Sequence, residues 1–278
     1  MKKQKKWEKN LYENFGYPDN YTDKTFLEEL KKNVHAKEIT PVNAVLGAGL
    51  VTQEICIVIL FVVIYVYLLN SWVEPETIFV QSSLVAAIGY LAYRIVLTNQ
   101  SYYEVLVKDF RTVLIFVAFG YVLSPILKTL TDTISTDTIY AMTTFMMMIY
   151  LIFFDYGVSA AIVSSSLSLN AAIFGSVCLA SRLASPFHAF VLLTNAVECF
   201  ALLPILLSKG KGSITVLALM VTISVCALWT VSLIMTVLFV CVSVFVTVLC
   251  PIWFLRWQNY KDNIYGPWDE AVVHDTEM

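Results

Sequence analysis

Carboxylates are scarce in the apolar stretches of this chain, and each one present needs a reason to be there. Glu54, Asp155 and Glu198 lie within or beside long hydrophobic runs, with Lys128 and Arg182 near the ends of others. An ionised group in hydrocarbon is expensive, so such residues by default mark a substrate path, a proton relay or a bound ligand. Each also has a plainer role open to it. Glu54 lies close enough to one end of its run to be hydrated. Glu198 has Asn195 three residues earlier on the same helical face, a pair suited to polar glue between helices or to a transport site. Asp155 ends one run and precedes the next, where its carboxylate can cap free amides and complement the positive helix end, or contact a lipid headgroup.

The stretch 155–180 is where these elements must meet. Gly157, Ala161, Ser165, Ser168, Ala172 and Gly175 follow at steps of four, four, three, four and three, one continuous stripe of small residues on a helix. In lipid no hydrophobic force joins helices, so close packing of small residues and interhelical hydrogen bonds do the joining. Asn170 and Ser166 lie on roughly the opposite face, where hydrocarbon offers an amide no partner. This pattern predicts a helix with neighbours on two sides.

With 58% hydrophobic and 14% charged residues over 278 positions, the composition excludes an ordinary soluble domain. It predicts an all-α, polytopic integral membrane protein of about eight transmembrane helices with short loops. Spans are expected near 50–69, 78–97, 111–130, 138–154, 158–180, 187–207, 213–232 and 233–255. The last two are separated by length alone. A single helix over 213–255 would extend about 65 Å at 1.5 Å per residue, against a hydrocarbon core of about 30 Å. The chain must therefore turn back, and 229–236 is the place. Ser135, Thr136 and Asp137 offer an N-cap for the fourth span.

Charge divides the chain into a basic and aromatic head (1–41), a helical bundle (42–257) and a tail (258–278). Nine of the eighteen Lys and Arg fall in the head, interleaved with aromatics that include Trp7 and Tyr21. No apolar core follows the opening lysines, so no cleavable signal peptide is expected. Such a head suits an anionic leaflet, a solvated positive-inside signal, or a docking arm for a soluble partner. Eight spans place sixteen cations on one side and only Lys128 and Arg182 on the other, so both termini are expected in the cytosol. In the tail, Pro267, Trp268 and Asp269 combine a rigid turn, an aromatic and an acid, features usable in a protein contact or left in an untethered end.

Six cysteines stand singly with no CxxC, and three histidines form no ligand pair, so neither metal nor disulfide framework is expected. No glycine-rich phosphate loop occurs, and no soluble region is large enough for a nucleotide-sugar domain. Nothing points to a nucleic-acid partner, a cofactor or a catalytic residue.

Several long ordered segments then resemble a known family. They are Ser135-Thr-Asp-Thr-Ile-Tyr-Ala-Met142, Leu151-Ile-Phe-Phe-Asp-Tyr-Gly157, Ala161-Ile-Val-Ser-Ser-Ser-Leu-Ser-Leu-Asn170, Cys178-Leu-Ala-Ser-Arg-Leu183 and His188-Ala-Phe190. Pro18-Asp-Asn-Tyr-Thr-Asp23 and Phe26-Leu-Glu-Glu-Leu30 in the head, and Asn263-Ile-Tyr-Gly-Pro-Trp-Asp-Glu-Ala271 in the tail, are similar to it too. The chain resembles, from end to end, the PIG-C family of phosphatidylinositol N-acetylglucosaminyltransferase subunits. The resemblance implies a place in the first step of glycosylphosphatidylinositol-anchor synthesis at the cytosolic face of the endoplasmic reticulum. There a complex transfers N-acetylglucosamine from UDP-GlcNAc to phosphatidylinositol. It implies further that the chemistry belongs to a separate subunit, PIG-A, accompanied by subunits of the PIG-H, PIG-P, PIG-Q and PIG-Y types.

A scaffold that presents the lipid to that catalytic subunit is then the expectation. Candidate headgroup neighbours are Asp155 and Tyr156 in the hairpin and the cations Arg94, Lys108 and Arg111. The alternative is a secondary transporter whose midplane site is Glu198, Asn195 and Asn170. An intramembrane enzyme acting alone would need convergent acids and bases, and the sparse Asp, Glu and His occupy different spans. The topology makes one sharp prediction. Asn20-Tyr-Thr and Asn99-Gln-Ser are both acceptor sequons on the expected cytosolic side, so neither carries glycan. A glycosidase-sensitive shift on a gel would overturn the topology.

Overall fold

The structure, a computed structural model, describes residues 21, 31–32, 39–97, 102–157, 163–207, 213–258, 260–261 and 264–265. Among these, eight helices follow one another: α1 Pro41–Leu69, α2 Pro75–Leu97, α3 Tyr102–Thr129, α4 Thr136–Phe153, α5 Ser165–Ala180, α6 Pro186–Leu207, α7 Ile214–Val231 and α8 Leu233–Gln258. All but α2 and α5 are long and apolar enough to cross a membrane. The chain divides into two compact units. One, Pro41–Trp253, holds the bundle; the other combines Met1–Thr40 with Phe254–Met278. Within the second, Lys31–Lys32 and Ile264–Tyr265 pair as a short antiparallel ribbon, Lys31 opposite Tyr265 and Lys32 opposite Ile264. The regular structure among the described residues is otherwise all helical.

Local chemistry accounts for the helix ends. Pro41, Pro75 and Pro186 open α1, α2 and α6, where a missing amide hydrogen is harmless. Ser135, Ser164 and Ser185 cap α4, α5 and α6, each hydroxyl accepting from the amide three residues on. Between α7 and α8 the chain reverses on one residue, Ser232, whose extended backbone (φ −162°, ψ 126°) interrupts two otherwise continuous helices. This lies inside the stretch where length alone required a turn.

The fifth span departs from expectation. Its helix begins at Ser165, not near 158, because Ser164 supplies the cap. Asp155 is therefore not a helix cap: its Oδ1 accepts from the Gly157 amide at 2.8 Å, closing a tight turn that Gly157 completes with φ 83°. Gly157 thus stands outside the small-residue stripe, and Ala161 lies outside the described residues. Asn170 faces outward rather than toward a neighbour.

Of the described remainder of the stripe, Ser165 is exposed and the others lie on the side of α5 that meets α4. Ser168, Ala172 and Gly175 are buried. The Ser168 hydroxyl donates to the Tyr150 carbonyl at 2.9 Å, and Thr143 reaches the Gly175 carbonyl at 3.4 Å. A Cβ on Gly175 would stand 3.2 Å from Met147 Cε and 3.4 Å from Met146 Cβ, so glycine permits the approach. α1 is the most enclosed of the long spans, with half of its most apolar window buried against 6% for α3. Phe61, Ile57, Cys56 and Leu68 of α1 meet Leu192, Phe190 and Ala196 of α6 in one continuous core.

The two cations that break the charge bias brace helix ends reciprocally. Lys128 of α3 donates to the Ala184 carbonyl at 2.7 Å, just beyond α5, and Arg182 donates to the Thr131 carbonyl just beyond α3. Cations suit the carbonyl-rich C-termini of helices, so these two have a structural occupation on whichever side they lie. The Gly175 contact yields a prediction. Gly175→Ala is expected to lower stability slightly and Gly175→Leu by about 1–3 kcal/mol, as overpacking does, read as the loss of folded protein on heating in mild detergent.

Candidate functional site

A cleft of about 320 Å³ opens among α1, α4, α5, α6 and the turn after α4. Its size is at the lower end of the roughly 300–1,000 Å³ typical of small-molecule sites. α1 contributes Leu50, Gln53 and Glu54, α4 Tyr150, and the turn Phe154, Asp155 and Tyr156. α5 contributes Ser165, Ser168 and Leu169, and the last turns of α6 add Phe200, Ala201, Pro204, Ile205 and Leu207. The polar side chains come from α1, α4, α5 and the turn, making a polar wall, whereas α6 contributes only apolar ones.

The polar wall is built around Glu54, which is 5% exposed. Tyr150, fully buried, donates its phenolic hydrogen to Glu54 Oε2 at 2.5 Å, a bond that spans 96 residues of sequence. Charge-assisted O–H···O⁻ bonds have this length. Tyr150 is held in turn from both sides. Ser168 donates to its backbone carbonyl, and its ring stands edge-on to Phe200 at 4.9 Å and tilted to Phe154 at 5.5 Å. Phe200 lies in a π-helical turn, Glu198–Leu202, and also packs edge-on against Phe61 at 5.0 Å. Such turns inside α-helices recur at functional sites because they redirect one side chain without ending the helix.

Tyr156 lines the cleft from the turn after α4. Its hydroxyl donates to the Leu151 carbonyl at 2.7 Å and its ring meets Phe154 at 5.1 Å. Burial, with the Glu54 charge adding to it, pushes the Tyr156 phenol above its ordinary range, so it stays a neutral donor at any physiological pH. Gln53, beside Glu54, is 4% exposed. Its side-chain amide has no hydrogen-bond partner among the described residues, yet it lines the cleft.

Of the residues singled out by sequence, the cleft gathers Asp155, Tyr156, Ser165, Ser168 and Glu54. It does not gather the cations. Arg94 is engaged elsewhere: Nη2 donates to Asp109 Oδ2 at 2.9 Å and Nε to the Tyr90 hydroxyl at 2.9 Å, while Tyr90 donates to the same carboxylate at 2.6 Å. This triad ties α2 to α3. Lys108 and Arg111 are exposed on α3, away from the cleft lining. Tyr21 is exposed, whereas Trp7, Pro267, Trp268 and Asp269 lie outside the described residues.

The residues of a midplane transport site do not converge. Asn195 is buried and donates to the Val191 carbonyl of its own helix at 2.9 Å; Glu198 is half-buried on α6, and Asn170 faces outward. None of the three lines the cleft. Sequence reasoning missed Gln53 and Tyr150. Neutral polar residues in a span carry little signal by themselves, although Gln53 adjoining Glu54 was a clue.

The Glu54–Tyr150 bond can be tested by a cycle. Tyr150→Phe should destabilise the bundle by about 1–3 kcal/mol because it strips a donor from a buried acceptor. Combined with Glu54→Leu, the loss should be smaller than the sum of the two single losses, because the second change removes an acceptor that the first has already deprived of this donor. Melting temperatures of the four proteins in one detergent give the coupling.

Comparisons with known proteins give this architecture relatives. The family model described as GPI2, phosphatidylinositol N-acetylglucosaminyltransferase, matches residues 7–269. The chain is 42% identical to the C-type subunit of phosphatidylinositol N-acetylglucosaminyltransferase from Homo sapiens, covering 98% of this chain and 95% of that one. It is 41% identical to the corresponding subunit from Mus musculus, covering 97% and 94%. It is 28% identical to the GPI2 subunit of the same transferase from Schizosaccharomyces pombe, covering 96% and 87%. No solved structure matches. A family match over nearly every residue, with relatives above 40% identity along almost their whole length, means that this chain belongs to the GPI2 family of phosphatidylinositol N-acetylglucosaminyltransferase subunits.

Proposed function

We propose that this chain is a non-catalytic membrane subunit of the complex that transfers N-acetylglucosamine from UDP-GlcNAc to phosphatidylinositol, the opening step of glycosylphosphatidylinositol-anchor synthesis. The observation that carries the reading is the end-to-end match to subunits of that transferase. The bundle is consistent with it. From Pro41 to Trp253 the described residues are helices joined by short turns, an architecture suited to holding a lipid whose acyl chains never leave the bilayer.

In this reading the subunit sits in the endoplasmic reticulum membrane with both termini cytosolic, where sixteen of its eighteen cations would lie. The catalytic domain is a separate PIG-A type subunit, with PIG-H, PIG-P, PIG-Q and PIG-Y types alongside it. The cleft, at the end of α4 and the last turns of α6, would then face the cytosol, the side on which the sugar donor is delivered. Head and tail aromatics, Trp7, Tyr21 and Trp268 with Pro267 and Asp269, are its candidate contacts with soluble domains.

Affinity purification of the tagged chain in mild detergent tests the reading. The eluate should transfer labelled N-acetylglucosamine from UDP-GlcNAc to phosphatidylinositol, and should lose that activity when the co-purifying glycosyltransferase is depleted. A well-folded chain that emerges alone and inactive would contradict it.

A further inference from the structure

Gln81 of α2 is turned away from the bundle. It is exposed, and its side chain makes no hydrogen bond among the described residues. Contacts on either side of it set its depth. Phe79 meets the Phe190 ring of α6 at 5.5 Å, and a Cβ on Gly89 would stand 3.1 Å from Leu206, near the other end of α6. α6 is long and apolar enough to cross a membrane, so α2 accompanies a span and Gln81 lies at membrane depth. At steps of four and three, Gln81, Val85 and Ile88 share one face of α2, joined by Leu84, and all four are exposed. Acyl chains solvate the three apolar members. They give the amide nothing: it carries two donors and an acceptor, and a polar group left unmet in hydrocarbon costs free energy.

A second polar group stands at the same depth. Ser82, the next residue, lies within hydrogen-bonding reach of Glu198, which is half-buried and opens the π turn of α6. A carboxamide on one helix and a carboxyl on its neighbour thus border a single strip of the bundle. Hydrogen bonds between side chains are among the few forces that join helices in lipid. The outward positions of α3 make a contrast: Val113, Phe119 and Val122 are exposed and apolar, and lipid alone satisfies them. A second copy of this chain is a poor fit for the strip. Two copies in one membrane are related by an axis along the membrane normal, so contact here would set Gln81 opposite Gln81 and bring two Glu198 side chains together at one depth, where like charges repel. A different helix with a donor at that depth serves both groups.

We infer that the outer face of α2 from Gln81 to Ile88, with Glu198 at its edge, is the docking surface for a membrane-spanning helix of another subunit. That helix presents an amide or hydroxyl side chain, able to donate a hydrogen bond, at the depth of Gln81. The inference rests on the reading of this chain as a subunit of the transferase complex, and it locates one of the contacts that hold the chain there inside the membrane.

The test uses the tagged full chain, expressed in cells with its complex. A benzophenone amino acid takes the place of Val85, one turn from Gln81, or of Val122 on α3 as a control. Intact membranes are irradiated, the tagged chain is purified in mild detergent, and adducts are mapped by mass spectrometry. The Val85 probe is expected to join the membrane segment of another subunit that co-purifies with the chain, at least fivefold more than the Val122 probe does. Adducts with lipid alone, equal protein adducts from both positions, or adducts with a protein that does not co-purify overturn the surface. Adducts joining two differently tagged copies of this chain overturn the choice of partner. Gln81→Leu, close in volume and without the amide, should lower the recovery of that subunit per tagged chain at least threefold, while Val122→Leu leaves it unchanged. Recovery unchanged by Gln81→Leu, or lowered equally by both variants, overturns the role of Gln81. If Gln81→Leu leaves too little chain to purify, the Val85 adduct decides alone. The two proposals fail separately. Transferase activity in the eluate with only lipid on the Val85 probe removes the surface, whereas a Val85 adduct to a co-purifying membrane helix in an eluate without transferase removes the assignment to the complex.

Discussion

A carboxylate placed among hydrocarbon must find hydrogen bonds, and the arrangement that satisfies Glu54 organises one end of this bundle. Tyr150 reaches it from α4 across 96 residues of sequence, and that reach fixes α1 against α4 at one depth. Ser168 of α5 takes the Tyr150 carbonyl, and Phe200 in the π turn of α6 takes the ring. Four helices therefore converge on one pair of side chains. The cleft is the space left beside it, so its polar wall is set by the same bonds that set the packing. Buried polar networks are costly when partly met and rigid when fully met, so a site built into one has little freedom to drift.

The opposite end of the bundle solves a similar problem with cations. Lys128 and Arg182 each serve the carbonyls that follow the other's helix, and Thr131 and Ser181 hydrogen-bond between them at 2.7 Å. Between the two ends, α4 and α5 pack closely enough that a Cβ added to Gly175 would meet Met146 and Met147. Polar clamps at both ends and small residues between them are the means available where water contributes no driving force.

Much of this was legible in the sequence because a bilayer fixes span length. Eight apolar runs gave eight helices, and the reversal forced by length between α7 and α8 falls at Ser232. The start of α5 was not legible, since Asp155 and Ser164 are both good capping residues and only the folded chain chooses between them. Arg94 looked like a free cation because its partner Asp109 is fifteen residues away on the next helix. Gln53 and Tyr150 escaped for a related reason: an amide or a phenol in a span acquires meaning from what stands opposite it, and sequence spacing says nothing of that. Of the polar lining, Glu54, Asp155, Tyr156, Ser165 and Ser168 were thus readable in the sequence, and Gln53 and Tyr150 were not.

The single extended residue between α7 and α8 bears on how the chain enters the membrane. Ser232 accepts from Thr236 and donates to Leu228, so the reversal keeps its own backbone polar groups occupied. It carries no charge and no polar loop. The far end of this helical pair therefore brings no hydrophilic segment that must be driven across the bilayer. The pair can partition into lipid as one preformed hairpin as it leaves the translocation machinery, with the direction of its open end left to the charges that flank it.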